Sequence, residues 1–310
     1  MIVGVSFGYH DSAAAAINNT EILFAAQEER YSREKFDPRF PSSVLKDIDK
    51  RIGLENVSSF ILHEKPLVKL DRQLSQLLSG GIGDLKAFPS NVVGLRKTLD
   101  WRKEKLVNLI SKCASGNLKV TKEQIKFSQH HLSHAAATFY TSPFEESLVF
   151  VSDAVGEWDS TSVWIGSGKT LKKISCQTFP HSIGLFYSAM TYFLGFKVNS
   201  GEYKLMGLAP YGVPRFVNEL KEIVNISDHG QITLDLKKFS YISGSTMTGK
   251  SMEKFFNKPR RASTEPINQW HADMAASVQK ILEEVLIKSI SYFLSIKGYP
   301  KKISLGGGLL

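Results

Sequence analysis

Two short apolar segments separated by a tight polar turn constrain the fold of this chain more than any other feature. Residues 2–7 and 13–17 predict two strands, and Gly8–Ser12 predicts the turn that joins them. Ile22–Gln27 predicts a third strand directly afterwards. The first part of the chain therefore predicts a strand, a tight polar turn and two further strands.

A second strand series follows near the middle of the chain. Ser147–Asp153 (SLVFVSD) predicts a buried strand that ends in an acid. Thr161–Ile165 and Lys172–Phe179 predict the next two strands of a meander. Helical patterns lie between and after the two strand series.

Helical periodicity accounts for much of the remaining chain. Apolar residues recur at helical spacing in Ser42–Ile52, 66–112, Ser128–Tyr140, Ile183–Leu194 and 265–297. We expect the last of these helices to begin at Glu265 and Pro266 and to end at Gly298. Residues 226–262 are polar and rich in turn-forming residues, which indicates a mobile loop.

Composition excludes several classes of protein. Of the 310 residues, 42% are hydrophobic and 22% charged, which excludes a wholly disordered or fibrous chain. No apolar run approaches ~18 residues, and the N-terminus lacks the pattern of a signal peptide, so we expect no membrane segment. Two widely spaced cysteines, Cys113 and Cys176, form neither a disulfide framework nor a metal motif. We predict a cytoplasmic protein with both cysteines unpaired.

The formal net charge is +9, and much of the excess lies between Arg96 and Lys126. This stretch predicts an amphipathic helix with a solvated basic face around Trp101, Leu106 and Ile110. It contains no zinc finger and no aromatic RNA-binding motif, so nucleic acid is not favoured as a partner.

The first candidate site combines histidines and an acid. His130 and His134 are four residues apart, which places both imidazoles on one face of a helix. Asp153 follows a strand, at a position where α/β folds bind ligands, and offers a carboxylate to the same ion. Two histidines and a carboxylate suit iron or another divalent metal. The alternative is that the histidines merely lie exposed at the start of a helix.

Glycine-containing turns are the second group of candidates. Gly8–Ser12 and Ser152–Glu157 offer backbone N–H groups to phosphate, although neither is a Walker loop or a dinucleotide fingerprint. Gly201–Gly212 (GEYKLMGLAPYG) carries Lys204 among glycines, which indicates close approach to a ligand or, alternatively, a packed helix and turn. In Glu28–Lys35, a cation such as Lys35 is suited to an anionic substrate, unless the segment is only a solvated loop.

The last residues predict a strand, Ile303–Leu305, followed by Gly306, Gly307 and Gly308. A strand that leads into a glycine turn usually opens a ligand site or a helix. We therefore expect the 310 residues to be part of a longer protein.

These segments together resemble one family, the O-carbamoyltransferases of the nodulation and antibiotic-tailoring type. The resemblance runs from about residue 2 to residue 310, with the motifs in that family's order. The motifs are FGYHDSAAAAI, EERYSREKFDPRFP, EKPLVKLDRQL, HHLSHAAATFY, SDAVGEW, SIGLFYSAMTYFLGF, GEYKLMGLAPYG and LGGG.

The resemblance implies an α/β, actin-like ATPase fold of two ribonuclease-H-like halves, similar to the tRNA threonylcarbamoyl-adenosine synthase subunit. It assigns residues 1–150 to the first half, with a mostly helical insertion at 66–126, and residues 151–310 to an incomplete second half. It further implies a C-terminal domain, absent here, that makes carbamoyl adenylate from carbamoyl phosphate and ATP. The N-terminal domain then transfers the carbamoyl group to a hydroxyl of a sugar or other small-molecule acceptor.

The resemblance also implies roles for individual residues. The implied ligands of an iron or other divalent ion are His130, His134 and Asp153. The implied nucleotide-binding residues are Asp153, Ala154, Val155, Lys204, Gly207, Gly306 and Gly307, with Mg²⁺ accompanying the ATP. The implied residues at the reacting groups are Lys35 at the carbamoyl adenylate, His10 and Asp11 at the acceptor hydroxyl, and Ser182 near the transferred group.

Two departures from the family pattern bear on activity. Ala154 stands where the family has glycine, so a methyl group lies in the phosphate turn and restricts the backbone. The chain also ends before the family's downstream asparagine and before the aspartate that completes the metal shell. Two other interpretations therefore stay open: a remnant that binds nucleotide or metal without turnover, and a relative that acts in tRNA threonylcarbamoylation.

Overall fold

The computed structural model describes residues 1–79, 95, 98–99, 101–116, 118–242 and 246–309. The chain divides into two compact units. The first unit comprises Met1–Leu74 and Asn91–Ser133, and the second comprises Ser75–Ser90 and His134–Leu310.

The first unit is built on a five-stranded sheet with the order β3-β2-β1-β4-β5. Its strands are β1 (Ile2–Ser6), β2 (Ala13–Asn18), β3 (Glu21–Gln27), β4 (Ser59–Leu62) and β5 (Ile125–Phe127). The first three pair antiparallel, whereas β4 pairs parallel with both β1 and β5. The three strands predicted at the N-terminus are present.

Several helices belong to the first unit. They are α1 (Glu29–Ser32), α2 (Ser42–Ile52), α3 (Pro66–Ser79, whose last residues belong to the second unit) and α4 (Lys103–Ser111). Alternate residues of β1, Val3 and Val5, are buried, and α2 buries Val44, Leu45 and Ile48 at helical spacing in the same core. The helices predicted at Ser42–Ile52 and within 66–112 are present. Residues 80–94 of the predicted insertion lie outside the described residues.

The second unit contains a four-stranded sheet with the order β11-β6-β7-β8. Its strands are β6 (Glu146–Gly156), β7 (Asp159–Ser167), β8 (Thr170–Thr178) and β11 (Ile303–Gly306). A separate hairpin pairs β9 (Val224–Ile226) with β10 (Ile232–Leu234). β6, β7 and β8 form an antiparallel meander, and β11 runs parallel to β6.

The two sheets share one connectivity. In each, three antiparallel strands follow one another in the chain, and a later strand pairs parallel with the first of them. The predicted α/β fold class, actin-like with two ribonuclease-H-like halves, is therefore confirmed.

Several helices belong to the second unit, which has a hydrophobic core of its own. They are α5 (His130–Phe139, which begins in the last residues of the first unit), α6 (Ile183–Phe193), α7 (Glu202–Leu208), α8 (Val217–Ile223), α9 (Lys250–Phe255) and α10 (Gln269–Ser295). The core joins α6 to α10, through side chains such as Phe186, Met190 and Val278. Short 3₁₀ helices lie at Leu54–Asn56, Lys122–Gln124, Ala209–Tyr211 and Leu236–Lys238.

The start of α10 differs from the prediction. The helix begins at Gln269, since Asn268 and His271 cap each other in a reciprocal capping box. Pro266 therefore precedes the helix instead of occupying its first turn. Residues 226–262, predicted as a loop, contain β10 and α9, and residues 243–245 lie outside the described part of the chain. Within the described residues, no helix is both long and apolar enough to cross a bilayer.

Candidate functional site

Asp153 lies in an irregular stretch of β6, not at its end. β6 pairs in register with β7 as far as Ser152 opposite Thr161, and regular pairing returns only at Gly156 opposite Asp159. Within this shift, Asp153 Oδ1 accepts a hydrogen bond of 2.7 Å from the backbone N–H of Ala154. The prediction of a strand ending in an acid is therefore corrected to a bulged strand that displays the acid.

Candidate metal ligands lie close together at Asp153. His134 Nε2 on α5 lies 3.4 Å from Asp153 Oδ2, and both side chains are partly exposed. His130 stands one helical turn before His134 on the same helix. The oxygen that approaches His134 is not the one that accepts the Ala154 N–H. An imidazole and a carboxylate oxygen thus converge, as a divalent metal requires, and the donor set fits such an ion.

Glycines surround Asp153 on several sides. Gly308 is so close that an added Cβ would lie 3.3 Å from Asp153 Oδ1. Gly307 has a φ of +109°, and a Cβ there would overlap the Ser152 carbonyl oxygen. Gly184, at the start of α6, would place a Cβ 2.5 Å from the Asp153 carbonyl oxygen and 2.7 Å from the Ala154 nitrogen. The backbone around Asp153 can therefore pack this closely only because these side chains are absent.

Ser182 is fully buried and caps α6. Its hydroxyl accepts a hydrogen bond of 3.0 Å from Leu185 N–H and donates one of 2.6 Å to the Ala154 carbonyl. The expected place of Ser182 near the transferred group is not tested by these contacts. They show that the hydroxyl ties the N-terminus of α6 to the segment that follows Asp153.

The alanine that replaces the family's glycine fits without backbone strain. Ala154 does not have a positive φ, whereas Glu157, where β6 turns into β7, has a φ of +57°. Val155, which was also expected at the phosphates, lies in the same bulge and is partly exposed. The concern that a methyl group restricts the backbone at this turn is thereby removed.

Lys204 and Gly207 lie together on the exposed face of α7. A Cβ added to Gly207 would meet no atom within 4 Å, so packing inside the chain does not require glycine there. Gly212, by contrast, lies against the backbone of α10 at Ala272. Close packing inside the chain therefore explains why this position is a glycine. Gly306, the last residue of β11, is packed against the hydroxyl of Thr138 on α5.

Two helical glycines provide a matched pair of substitutions. We expect Gly184→Ala to lower the free energy of unfolding by about 1–3 kcal/mol, since the methyl group must displace the Asp153–Ala154 backbone. Gly207→Ala, in open space within α7, should instead stabilise by up to about 1 kcal/mol. Urea denaturation of both variants tests this difference, and equal effects would show that the close contact at Gly184 is unimportant.

The residues expected at the acceptor hydroxyl, His10 and Asp11, lie in the first unit. His10 Nδ1 lies 2.7 Å from Asp11 Oδ2, and both side chains are solvent-accessible. Asp11 has a φ of +51°, and the turn that carries it is fixed by backbone hydrogen bonds from Gly8 to Pro38 and from Ser12 to Asp37. The turn is therefore held in place while the side chains of His10 and Asp11 stay accessible to solvent.

The segment that accepts these hydrogen bonds, at Asp37 and Pro38, is itself held by an ion pair. The Asp37 carboxylate accepts two hydrogen bonds, of 2.9 and 2.7 Å, from the Arg39 guanidinium, which holds the pKa of Asp37 well below its usual range. Lys35, the residue expected at the carbamoyl adenylate, is exposed nearby in the chain.

A buried charged cluster in the first unit was missed by the sequence analysis. Glu64 is completely buried, and its carboxylate accepts hydrogen bonds from Tyr9 Oη at 2.9 Å and from Lys69 Nζ at 3.0 Å. Lys69 Nζ also lies 3.8 Å from the ring centre of Tyr9 and 4.5 Å from that of Trp101. Burial would raise the pKa of Glu64, but the nearby cationic groups, chiefly Lys69, lower it overall.

His63 lies beside this cluster. Its Nδ1 is buried with no hydrogen-bond partner among the described residues. Burial, reinforced by His130, lowers the pKa of His63 to about 4, so the ring is neutral at pH 7. The ligand atoms of His63, Glu64 and His130 lie within 4.8 Å of one another. These three residues suit a metal ion less well than the group of His130, His134 and Asp153 does, because the Lys69 ammonium already contacts the Glu64 carboxylate.

Residues 1–310 match the family whose model is described as Carbamoyltransferase N-terminus. The chain therefore belongs to this family.

Two relatives and one solved structure show the range of similarity. The chain is 41% identical over 295 residues to an uncharacterized protein of Synechocystis sp., covering 93% of this chain and 47% of that protein. It is 29% identical over 310 residues to the nodulation protein NolNO of Sinorhizobium fredii, covering 97% of this chain and 40% of NolNO. The chain thus spans about half the length, or less, of these relatives.

A solved member of the Ppx/GppA protein family from Aquifex aeolicus aligns with 99% of this chain and 92% of its own chain, at 13% identity and a TM-score of 0.35. The strand order of the two sheets, and not this similarity, defines the fold.

Proposed function

We propose that this chain is the transferase portion of an ATP-dependent O-carbamoyltransferase. Family membership supports the class of reaction. The observation that carries the proposal is that His134 and Asp153 lie close together, with Gly184, Gly307 and Gly308 packed around Asp153. Glycines in these positions give a phosphate group access to backbone N–H groups beside a metal.

The proposed reaction moves a carbamoyl group from carbamoyl adenylate to an acceptor hydroxyl. The hydroxyl oxygen bonds to the carbamoyl carbon, and the bond from that carbon to the adenylate phosphate oxygen breaks, so that AMP leaves with the electron pair. The proton of the hydroxyl passes to a base, for which His10 and Asp11 are the candidates. Their side chains are accessible and hydrogen-bonded to each other, as a base and its orienting partner are.

Under this proposal, His130, His134 and Asp153 hold Fe(II) or another divalent ion, which supplies Lewis acidity toward the carbonyl or phosphate oxygen. Ala154, Val155, Lys204, Gly207, Gly306 and Gly307 border the nucleotide, with Mg²⁺ on its phosphates. Lys35 contacts the adenylate, and Ser182 holds the α6 N-terminus beside it.

Carbamoyl phosphate and ATP supply the carbamoyl adenylate. Free cysteines and these substrates favour a cytoplasmic setting.

The test is carbamoyl transfer by the gene product that carries these residues. Incubation with ¹⁴C-carbamoyl phosphate, ATP, Mg²⁺ and Fe(II) should release AMP and label a hydroxylated acceptor. The variant Gly207→Ala should keep its stability and bind ATP more weakly, because Gly207 lies in open space that the nucleoside would fill. Nucleotide binding without any AMP release would contradict the transferase and would indicate a binding protein.

A further inference from the structure

The second unit contains a cavity whose described lining includes none of the residues assigned to the proposed transfer reaction. The lining comes from β7 and β8, from the turn between β9 and β10, and from the C-terminal part of α10 with the residues that follow it. The cavity volume is about 270 Å³. This volume is slightly below the ~300–1,000 Å³ of sites for drug-sized ligands. We propose that the cavity binds a small, flat, uncharged aromatic compound that carries hydrogen-bonding groups, such as an aromatic amide.

The turn between β9 and β10 is held on two sides. Gly230 in this turn has a φ of +73°, and an added Cβ would overlap the backbone of Ser289 on α10. The side-chain amide of Gln177 on β8 donates a hydrogen bond to the carbonyl of Ile232 and accepts one from its N–H. Because these contacts fix the walls before a ligand arrives, binding needs little ordering of the protein.

Aromatic rings supply much of the apolar lining. The His229 imidazole stacks on the Tyr292 ring, with 4.1 Å between the ring centres and an angle of 38° between the planes. Phe293 and Tyr299 also line the cavity, together with three aliphatic side chains, Val163, Ile174 and Ile296. Aromatic rings pack on one another by offset stacking or edge to face. The lining therefore favours a flat aromatic ring over a saturated one.

Polar side chains add hydrogen-bonding groups to this lining. Ser175, Ser289 and Gln231 line the cavity, and their side chains make no hydrogen bond within the part of the chain that the structure describes. Two hydroxyls and a carboxamide offer both donors and acceptors. A ligand that carries a donor and an acceptor, as an amide does, is suited to them.

The lining favours a ligand without charge. Although 22% of the residues of the chain are charged, none of the described lining residues is Asp, Glu, Lys or Arg. Charged residues that flank the lining in the chain have both signs, and two of the lysines are ion-paired: Lys173, Asp228, Lys288 and Lys297. An ion that entered the cavity would lose water without meeting an opposite charge in the lining, whereas a neutral ligand avoids this cost.

The binding test uses three planar probes of nearly the same shape and different charge: benzamide, benzoate and benzamidine. Titrations of the gene product that carries these residues, followed by saturation-transfer NMR, should show benzamide binding at least about tenfold more tightly than either ion. Cyclohexanecarboxamide keeps the amide and lacks the flat ring. It should bind at least about tenfold more weakly than benzamide.

Two variants test where the probes bind. Gln231→Glu places a carboxylate in the lining at an exposed position, and should raise the affinity of benzamidine relative to benzamide by about tenfold. Asn225→Asp makes the same change from amide to acid on the same hairpin, at an exposed position outside this lining. It is the matched control and should leave the ratio unchanged.

Four results would overturn the proposal: no binding of benzamide, binding of either ion as tight as that of benzamide, equal effects of the two acidic variants, or displacement of benzamide by AMP. The last result would assign the probe to a nucleotide site. The inference does not depend on the proposed function, because the titrations contain no carbamoyl phosphate or metal and require no turnover. Loss of carbamoyl transfer with intact benzamide binding would contradict only the proposed function.

Discussion

His134→Ala should abolish retention of the divalent metal and lower carbamoyl transfer by about 100-fold or more. The substitution removes the imidazole that lies 3.4 Å from Asp153 Oδ2, which leaves a ligand set too small for tight binding. Metal content after purification under anaerobic conditions with Fe(II), measured by mass spectrometry, checks the binding step separately from activity.

Asp153→Asn refines this prediction. The amide oxygen can still accept the Ala154 N–H, so the bulge in β6 should keep its shape, while the negative charge that attracts the ion is lost. We expect metal affinity to fall by about 10- to 100-fold with little change in stability.

His229→Ala is the matched control for the histidine variant, since His229 is exposed in the second unit and stacks on Tyr292. It should retain the metal. A His134→Ala protein with full metal content would show that the site lies elsewhere.

Lys69→Met should lower the free energy of unfolding by about 3–5 kcal/mol. It removes the cation that faces Glu64, which has no exposed surface and would be left as an uncompensated buried charge. Adding Glu64→Gln should recover most of the loss, because the amide is neutral and still accepts the hydrogen bond from Tyr9.

The exposed pair Lys122–Glu104, at 2.6 Å, is the control for this effect. Glu104→Gln should cost at most about 1 kcal/mol, because water screens both charges. Urea denaturation followed by circular dichroism compares the four proteins. If Lys69→Met costs no more than Glu104→Gln, burial does not govern the energy of the pair.

Sequence reasoning identified the strands and helices whose signals are local. The meander of β1, β2 and β3 follows from a turn and alternating apolar residues, and α2 follows from its helical spacing. The family and the fold class were also predictable from motif order. The start of α10 was not, because the capping box at Asn268 and His271 outweighed the proline signal at Pro266.

At the candidate site, features that depend on long-range contacts could not be predicted from the sequence. The bulge at Asp153 depends on how β6 meets β7, and the segment itself reads as an ordinary strand end. Glu64 and Lys69 look like solvated charges in the sequence, and their burial depends on Tyr9 and Trp101, which lie far away in the chain. Two signals were available: a glutamate two residues after an apolar strand, at the end where parallel strands place functional groups, and the motif EKPLVKLDRQL, which contains both charges. The roles assigned to individual site residues stay predictions.

The glycines packed around Asp153 have a consequence at the level of the gene. Every amino acid that one nucleotide change can produce from a glycine codon carries a Cβ atom. At Gly184 and Gly307 that atom has no room, and at Gly308 it meets the Asp153 carboxylate. A leucine in the core can mutate to another apolar residue of similar volume at modest cost. These glycines have no such neighbour in the genetic code, so we expect random mutagenesis to find no neutral substitution at Gly184 or Gly307.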